Sequence, residues 1–136
     1  MAMGADKVIL LVDDDRAVLE AMQMLLQGRG GYVVHCAVGA AGAAAFLSRH
    51  AHVDVIVADV ILAGRTTGVD LCELGRRLHP QLGLVVISAD PKVEADMIPE
   101  SSLYLRKPFG GDDLVAAIEQ SQRLAGRHSN GTTVSS

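Results

Sequence analysis

Four polar stretches of the chain carry side chains suited to one kind of chemistry, and each follows an apolar run. Asp13-Asp14-Asp15 follows the first run, Asp59 the third, Ser88 the fourth and Lys107-Pro108 the fifth. Singly, each has an ordinary explanation. An Asp after a strand is commonly the N-cap of the next helix, and Asp15 is expected to cap the first one. Ser88 alone is a loop hydroxyl, Lys107 a solvated charge. Together they form a more specific set. In an open parallel sheet, ligands sit at the carboxyl ends of the strands, and all four stretches fall at such ends. Carboxylates converging on one pocket repel one another and raise each other's pKa values, so a positive partner is required. A hard divalent cation with oxygen ligands, Mg²⁺, suits such a site. Lys107 adds a second positive charge and Ser88 a hydroxyl donor. Carboxylates, Mg²⁺, a lysine and a hydroxyl suit the capture of a phosphoryl group.

The elements that must position these groups follow from hydrophobic period. Lys7–Val12, Tyr32–Cys36, Val53–Ala58, Leu82–Ile87 and Ser102–Leu105 are short apolar runs rich in β-branched residues. Their lack of alternation predicts strands covered on both faces. Between them lie amphipathic stretches. Val18, Leu19, Met22, Leu25 and Leu26 mark a first helix, Ala40–His50 a second, Val69–Leu78 a third, and Leu114, Ala117, Ile118 and Leu124 the last. Gly30 and Gly31 are expected to stop the first helix, and Pro80 follows the third. Strands alternating with helices imply an α/β fold with a parallel sheet between two helical layers. The segment Asp90–Pro99, with Pro91 near its start, has room for only one or two helical turns.

The 136 residues suit one domain. It is expected over residues 7–125, after a flexible leader of residues 1–6 and before a disordered polar tail of residues 126–136. Apolar residues make up 49% and mean hydropathy is +0.28, too apolar for a disordered chain. Aromatics are only 3%, so the core must be aliphatic. A net charge of -4 argues against direct nucleic-acid binding. No apolar run approaches the ~18–20 residues of a membrane span, and Met1–Asp6 has no signal-peptide pattern. The expected compartment is the cytoplasm, with no membrane contact. Cys36 and Cys72 lack metal-ligand spacing and are expected to be buried, reduced thiols. The histidines His35, His50, His52, His79 and His128 share no metal-site spacing. His35 is a candidate core residue and the others are expected at the surface.

Four segments together carry a resemblance: Val8–Asp15, Asp54–Val60, Val85–Ala89 and Tyr104–Phe109, in this order and spacing. The sequence resembles the response-regulator receiver domain of two-component signalling from Lys7 to about Leu124. The resemblance implies a flavodoxin-like, doubly wound, five-stranded parallel sheet of order 2-1-3-4-5. Strands one and three are then neighbours, so Asp13, Asp14 and Asp59 can meet. It further implies that Asp59 is the phosphoacceptor, that Asp13, Asp14, Asp59 and the backbone carbonyl of Ile61 hold Mg²⁺, and that Lys107 pairs with phosphoryl oxygens. Ser88 is then the switch hydroxyl and Tyr104 the switch aromatic, and the Lys107–Pro108 bond is cis, aiming the lysine into the pocket. The implied partners are a sensor histidine kinase or histidine phosphotransfer protein, and an unidentified downstream protein. The domain would assist its own phosphoryl transfer and dephosphorylation, but as a signalling receiver rather than an enzyme.

The sequence departs from the family pattern in places. Ala63 stands where Pro is common, Gly64–Gly68 lengthens the loop before the third helix, and the stretch between Ser88 and Lys107 runs short. This pattern resembles receivers joined to hybrid sensor kinases and stand-alone relatives of them. A haloacid-dehalogenase-type phosphatase would need Asp-x-Asp-x-Thr, which Asp13-Asp14-Asp15-Arg16-Ala17 does not supply. A flavodoxin-type module would need a phosphate loop after strand one, where three carboxylates would instead repel phosphate. The remaining alternative is a degenerate receiver acting only as a phosphorylation-independent protein-binding module.

Overall fold

The computed structural model describes residues 6–50, 52–59, 68–89 and 101–134, the last eight of these by backbone alone. The elements are β1 (Lys7–Asp13), α1 (Arg16–Gln27), β2 (Tyr32–Val38), α2 (Gly39–Arg49), β3 (Val55–Asp59), α3 (Gly68–Leu78), β4 (Gly83–Ser88), β5 (Ser102–Arg106) and α4 (Gly111–Val134). The strands form one sheet of order β2-β1-β3-β4-β5. Every pairing is parallel, in the order the receiver resemblance implies.

Alternation along each strand divides the core into two layers. Ile9 and Leu11 of β1, Val55 and Val57 of β3, and Val85 and Ile87 of β4 pack with Leu19 and Leu26 of α1 and Leu114 and Ile118 of α4. Leu10, Val12, Ile56, Ala58, Leu84 and Val86 face the other way, onto Ala43 and Leu47 of α2 and Leu71 and Cys72 of α3. From Ile9 to Val12, Val55 to Ala58 and Leu84 to Ile87, every residue is thus taken up by one layer or the other. Each fully buried Leu or Ile contributes about 1.5–3 kcal/mol. At the amino end of the sheet, Asp54 reinforces the register: Val8 N donates to its Oδ2 at 2.7 Å, and His52 Nε2 lies 2.8 Å from its Oδ1.

Several expectations are corrected. β2 is not covered on both faces, because it is an edge strand: Val33 is 41% and Val38 44% exposed. For the same reason Cys36 is exposed, not buried, while Cys72 is buried as expected. Among the histidines expected at the surface, His50 and His52 are exposed and His79 is half-buried. His35 is half-buried, 4.7 Å from the Phe46 ring, and His50 stacks on Phe46 at 3.7 Å. The Leu47 carbonyl accepts from His79 Nε2 at 3.0 Å. Asp15 does cap α1, its side chain accepting from Ala17 N at 2.9 Å. Gly28 caps the other end, and Gly30 and Gly31, both at positive φ, turn the chain into β2. α4 continues to Val134, past the tail expected from Gly126. Extending a helix already nucleated adds one bond per residue fixed. The short helix expected over Asp90–Pro99 lies outside the described residues.

Gly83 opens β4 directly under α4. A Cβ there would lie 2.6 Å from Ser121 Oγ, 3.2 Å from the Ser121 carbonyl carbon and 3.2 Å from Val55 Cγ2. Gly75 is also tight, but against the flexible ends of Leu82 and Leu47. Gly83→Ala should therefore cost the larger share of the ~1–3 kcal/mol typical of overpacking, and Gly75→Ala less, as measured by chemical denaturation. Burial pushes the Cys72 thiol up to about 12, with Arg76 opposing and Glu73 adding to the rise. In the folded protein a maleimide should label Cys36 alone, and Cys72 only on unfolding.

Candidate functional site

Parallel strands end on the same side of a sheet, and here the sheet delivers three functional side chains as strand-terminal residues. Asp13 closes β1, Asp59 closes β3 and Ser88 closes β4. Val12–Ala58 is the last rung between β1 and β3, so Asp13 and Asp59 are the next side-by-side positions. Each has the strand parity of the residues facing α1 and α4. Lys107 lies one residue beyond β5, and its backbone N–H donates to the Ser88 carbonyl at 3.0 Å. That bond ties the end of β5 to the end of β4.

The lysine joins the carboxylates. Lys107 Nζ donates to Asp59 Oδ2 at 2.9 Å and lies 3.7 Å from Asp13 Oδ2. The site is partly dry: side-chain exposure is 28% for Lys107, 16% for Asp59 and 9% for Asp13. Burial by itself would lower the lysine pKa. The hydrogen bond and charge of Asp59, then the charge and hydrogen bonding of Asp13, outweigh it, and the ammonium is held above its ordinary value. Asp13 is fixed from a second side, since its Oδ1 accepts from Asp15 N at 2.9 Å. The Lys107–Pro108 bond is cis.

Ser88 is fully buried, and Tyr104 is half-buried with its hydroxyl 3.5 Å from the Ser88 carbonyl, the outer limit of a hydrogen bond. The residues named as switch hydroxyl and switch aromatic therefore adjoin one another beside the lysine. Asp14 is exposed on the rim. Ile61 and Ala63 lie outside the described residues. Sequence reasoning missed Gly39, which starts α2 at φ 84°. A Cβ there would stand 3.4 Å from Asp14 Oδ1, so the β2–α2 junction abuts the acidic cluster. A lone Gly after an apolar run was the available signal.

The donor set fits a hard cation. All the candidate side-chain ligands are carboxylates, and Mg²⁺ commonly uses only one or two of them while keeping several waters. Among the described residues no group of three His, Cys, Asp or Glu side chains stands ready as a metal cage. Asp13 and Asp59 instead share the Lys107 ammonium. These carboxylates at and beside the strand ends, two of them sharing that ammonium, are oxygen donors of the kind a hard cation takes.

Comparison with known proteins agrees with this geometry. Residues 9–119 match the family model described as response regulator receiver domain. The chain is 34% identical over 113 residues to the response regulator MprA of Mycobacterium leprae, covering 81% of this chain and 48% of that protein. It is 29% identical over 128 residues to the probable transcriptional regulatory protein TcrX of Mycobacterium tuberculosis, covering 92% and 53%. The chain thus spans about half the length of these curated relatives. Among solved structures, a response regulator receiver protein from Sinorhizobium medicae superposes with TM-score 0.81 at 26% identity, covering 88% of this chain and 97% of that one. The receiver domain of the hybrid histidine kinase CckA gives 0.70 at 25% identity, covering 85% and 98%. No helix among the described residues is long and apolar enough to cross a membrane.

Lys107→Met should leave Asp13 and Asp59 facing each other unbridged and cost about 1–2 kcal/mol for a partly solvated pair. Because folding raises the lysine pKa, its contribution is complete below the unfolded value of ~10.4 and lost as pH climbs through the higher folded one. The stability gap between parent and variant should stay flat around neutral pH and close above ~10.4, which denaturation at a series of pH values would check. A gap that instead widened at high pH would contradict the assignment.

Proposed function

The chain belongs to the response regulator receiver domain family, and from that premise we propose that Asp59 takes a phosphoryl group from a phosphohistidine of a sensor kinase or histidine phosphotransfer protein. The observation that carries this is the Lys107 ammonium, 2.9 Å from Asp59 Oδ2 with Asp13 on its other side. In the transfer, an Asp59 carboxylate oxygen attacks phosphorus, the P–O bond of an acyl phosphate forms, and the P–N bond to the donor imidazole breaks with its electron pair going to nitrogen. A carboxylate is a weak nucleophile, so rate depends on neutralising the incoming oxygens. Lys107 is positioned to follow that charge, leaving the Asp59 carboxylate for the phosphoryl oxygens. Asp13, Asp14, Asp59 and the backbone carbonyl of Ile61 would hold Mg²⁺, which when bound supplies further neutralisation of the phosphoryl charge.

The output proposed for this site is a local packing change. The phosphoryl group brings new negative charge and acceptor oxygens. Ser88 moves to donate to it, the contact between Tyr104 and the end of β4 is re-formed, and the surface around Tyr104 changes for a downstream protein. The module works in the cytoplasm, where phosphohistidine donors and Mg²⁺ are at hand, and its net charge of -4 suits protein partners better than nucleic acid.

Acetyl phosphate with Mg²⁺ should add one phosphoryl group, seen by mass spectrometry, and Asp59→Asn should abolish it. Stoichiometric labelling that survived Asp59→Asn would sink the assignment, and absence of labelling in the parent would make the chain a phosphorylation-independent binding module. Asp14→Ala should weaken Mg²⁺ affinity more than any other single replacement among the carboxylates that are not phosphorylated, measured by titration. Ser88→Ala should keep labelling of Asp59 yet lose the beryllofluoride-induced change in hydrogen exchange near Tyr104.

A further inference from the structure

β1 and β2 leave the sheet side by side. Their last rung pairs Asp13 with Val38, so Asp14 and Gly39 are the next two positions beyond it. There the two chain paths part: β1 runs on to α1 on one face of the sheet, and β2 to α2 on the other. The first exit has slack, because Asp14 and Asp15 separate β1 from α1. The second has none, since β2 ends at Val38 and α2 begins at Gly39. A strand passes into a helix without a linking residue only through a sharp backbone turn, and Gly39 makes it at φ 84°. That left-handed conformation is costly for a residue with a Cβ and open to glycine. The start of α2 is also bare. Its N-cap, Val38, makes no side-chain hydrogen bond, its first turn holds no acidic residue, and Gly39–Ala45 is Gly and Ala throughout. The helix therefore supplies no carboxylate of its own to the positive end of its dipole. The fold brings one from elsewhere: a Cβ on Gly39 would point at Asp14 Oδ1, 3.4 Å away. The other glycines at positive φ among the described residues, Gly30 and Gly31, face open space in that direction.

We propose, on the reading of Asp14 as a Mg²⁺ ligand, that Gly39 is a positioning residue for the metal site: its left-handed backbone seats the first turn of α2 against the Asp14 carboxylate. The other two acidic side chains already have fixed partners. Lys107 holds Asp59 and lies beside Asp13, and Asp13 also accepts from Asp15 N. Asp14 is exposed on the rim, and an exposed side chain loses rotamer freedom when it takes a cation. A helix end that already favours one placement of the carboxylate reduces that loss, which is preorganisation. Alanine at position 39 favours negative φ. Relieving it turns the junction and shifts the first turn of α2. The neighbour in its path is the far end of a flexible side chain, so Asp14 yields before the packed layers do. The effect of the substitution therefore falls on metal affinity more than on the fold. Asparagine visits the left-handed region far more readily than alanine, so it keeps the junction and the seat.

Calorimetric titration of Mg²⁺ into the full, unphosphorylated chain tests this as a double-mutant cycle. Gly39→Ala should weaken Mg²⁺ binding roughly three- to tenfold, within the range of coupling between groups in contact. In an Asp14→Ala background the same substitution should change nothing further, because no carboxylate is left to seat. Gly39→Asn should bind Mg²⁺ as the parent does. So should Gly42→Ala, which lies exposed in the same helix and whose Cβ would meet only Ala37, at 3.8 Å. A loss in Gly42→Ala equal to that in Gly39→Ala would mean that any change in α2 suffices, and would overturn the proposal. A second readout separates positioning from damage to the fold. In Gly39→Ala the Mg²⁺ concentration for half-maximal labelling by acetyl phosphate should rise, while the rate at saturating Mg²⁺ stays that of the parent. A lower plateau at an unshifted midpoint would count against positioning. Parent-like Mg²⁺ affinity in Gly39→Ala, with Asp14→Ala weakened, overturns the role of Gly39 alone. Parent-like affinity in Asp14→Ala overturns the Mg²⁺ reading of Asp14 and the role of Gly39 with it. If Gly39→Ala does not fold, one Gly inserted between Val38 and Gly39 loosens the junction without strain and should weaken Mg²⁺ binding to the same degree. Unchanged affinity in that variant would overturn the proposal.

Discussion

One ammonium group organises the functional end of this molecule. Lys107 Nζ reaches Asp59 at 2.9 Å and Asp13 at 3.7 Å. It lies between two partly buried carboxylates at the ends of adjacent strands and offsets their like charges. The lysine depends in turn on the end of β5, whose path is fixed by the bond from Lys107 N to the Ser88 carbonyl. The same carbonyl accepts from the Tyr104 hydroxyl at 3.5 Å. Charge pairing, strand ends and the two side chains proposed to switch are therefore linked through a few atoms, and a change of charge on Asp59 must be felt by all of them.

That linkage rests on a sheet with two helical layers. The central strands are held from both sides by aliphatic side chains, which makes their carboxyl ends firm enough to present acidic groups a few ångströms apart. Order matters as much as burial. β1 and β3 are neighbours because the chain runs outward to β2 and then returns past β1, and the reversal opens a crevice where Asp13 and Asp59 sit. The same topology exposes β2. The strand that must lie at the margin so that β1 and β3 can meet is the one with the longest uncharged edge. The acidic site and the open edge at β2 are thus two consequences of one strand order.

The amino-acid sequence by itself determined the α/β class, the five strands, three helices expected around 18–26, 40–50 and 69–78 and found at 16–27, 39–49 and 68–78, and which polar residues follow the apolar runs. It could do so because fully buried strands and amphipathic helices write different periods into a chain, and because Asp13, Asp59, Ser88 and Lys107 each stand directly after an apolar run. The resemblance to receivers added the strand order. Tertiary structure decided what depends on neighbours distant along the chain. Val33 and Cys36 look like core in an apolar run, but a strand at the margin has only part of its surface covered. His79 reads as a surface residue, yet it is half-buried and its ring reaches the Leu47 carbonyl. Gly39 reads as a turn residue, and only the folded chain brings it against Asp14. The sharing of Lys107 between two carboxylates is of the same kind: charge can be counted in a sequence, but which oxygen an ammonium reaches is set by where the strands end in space.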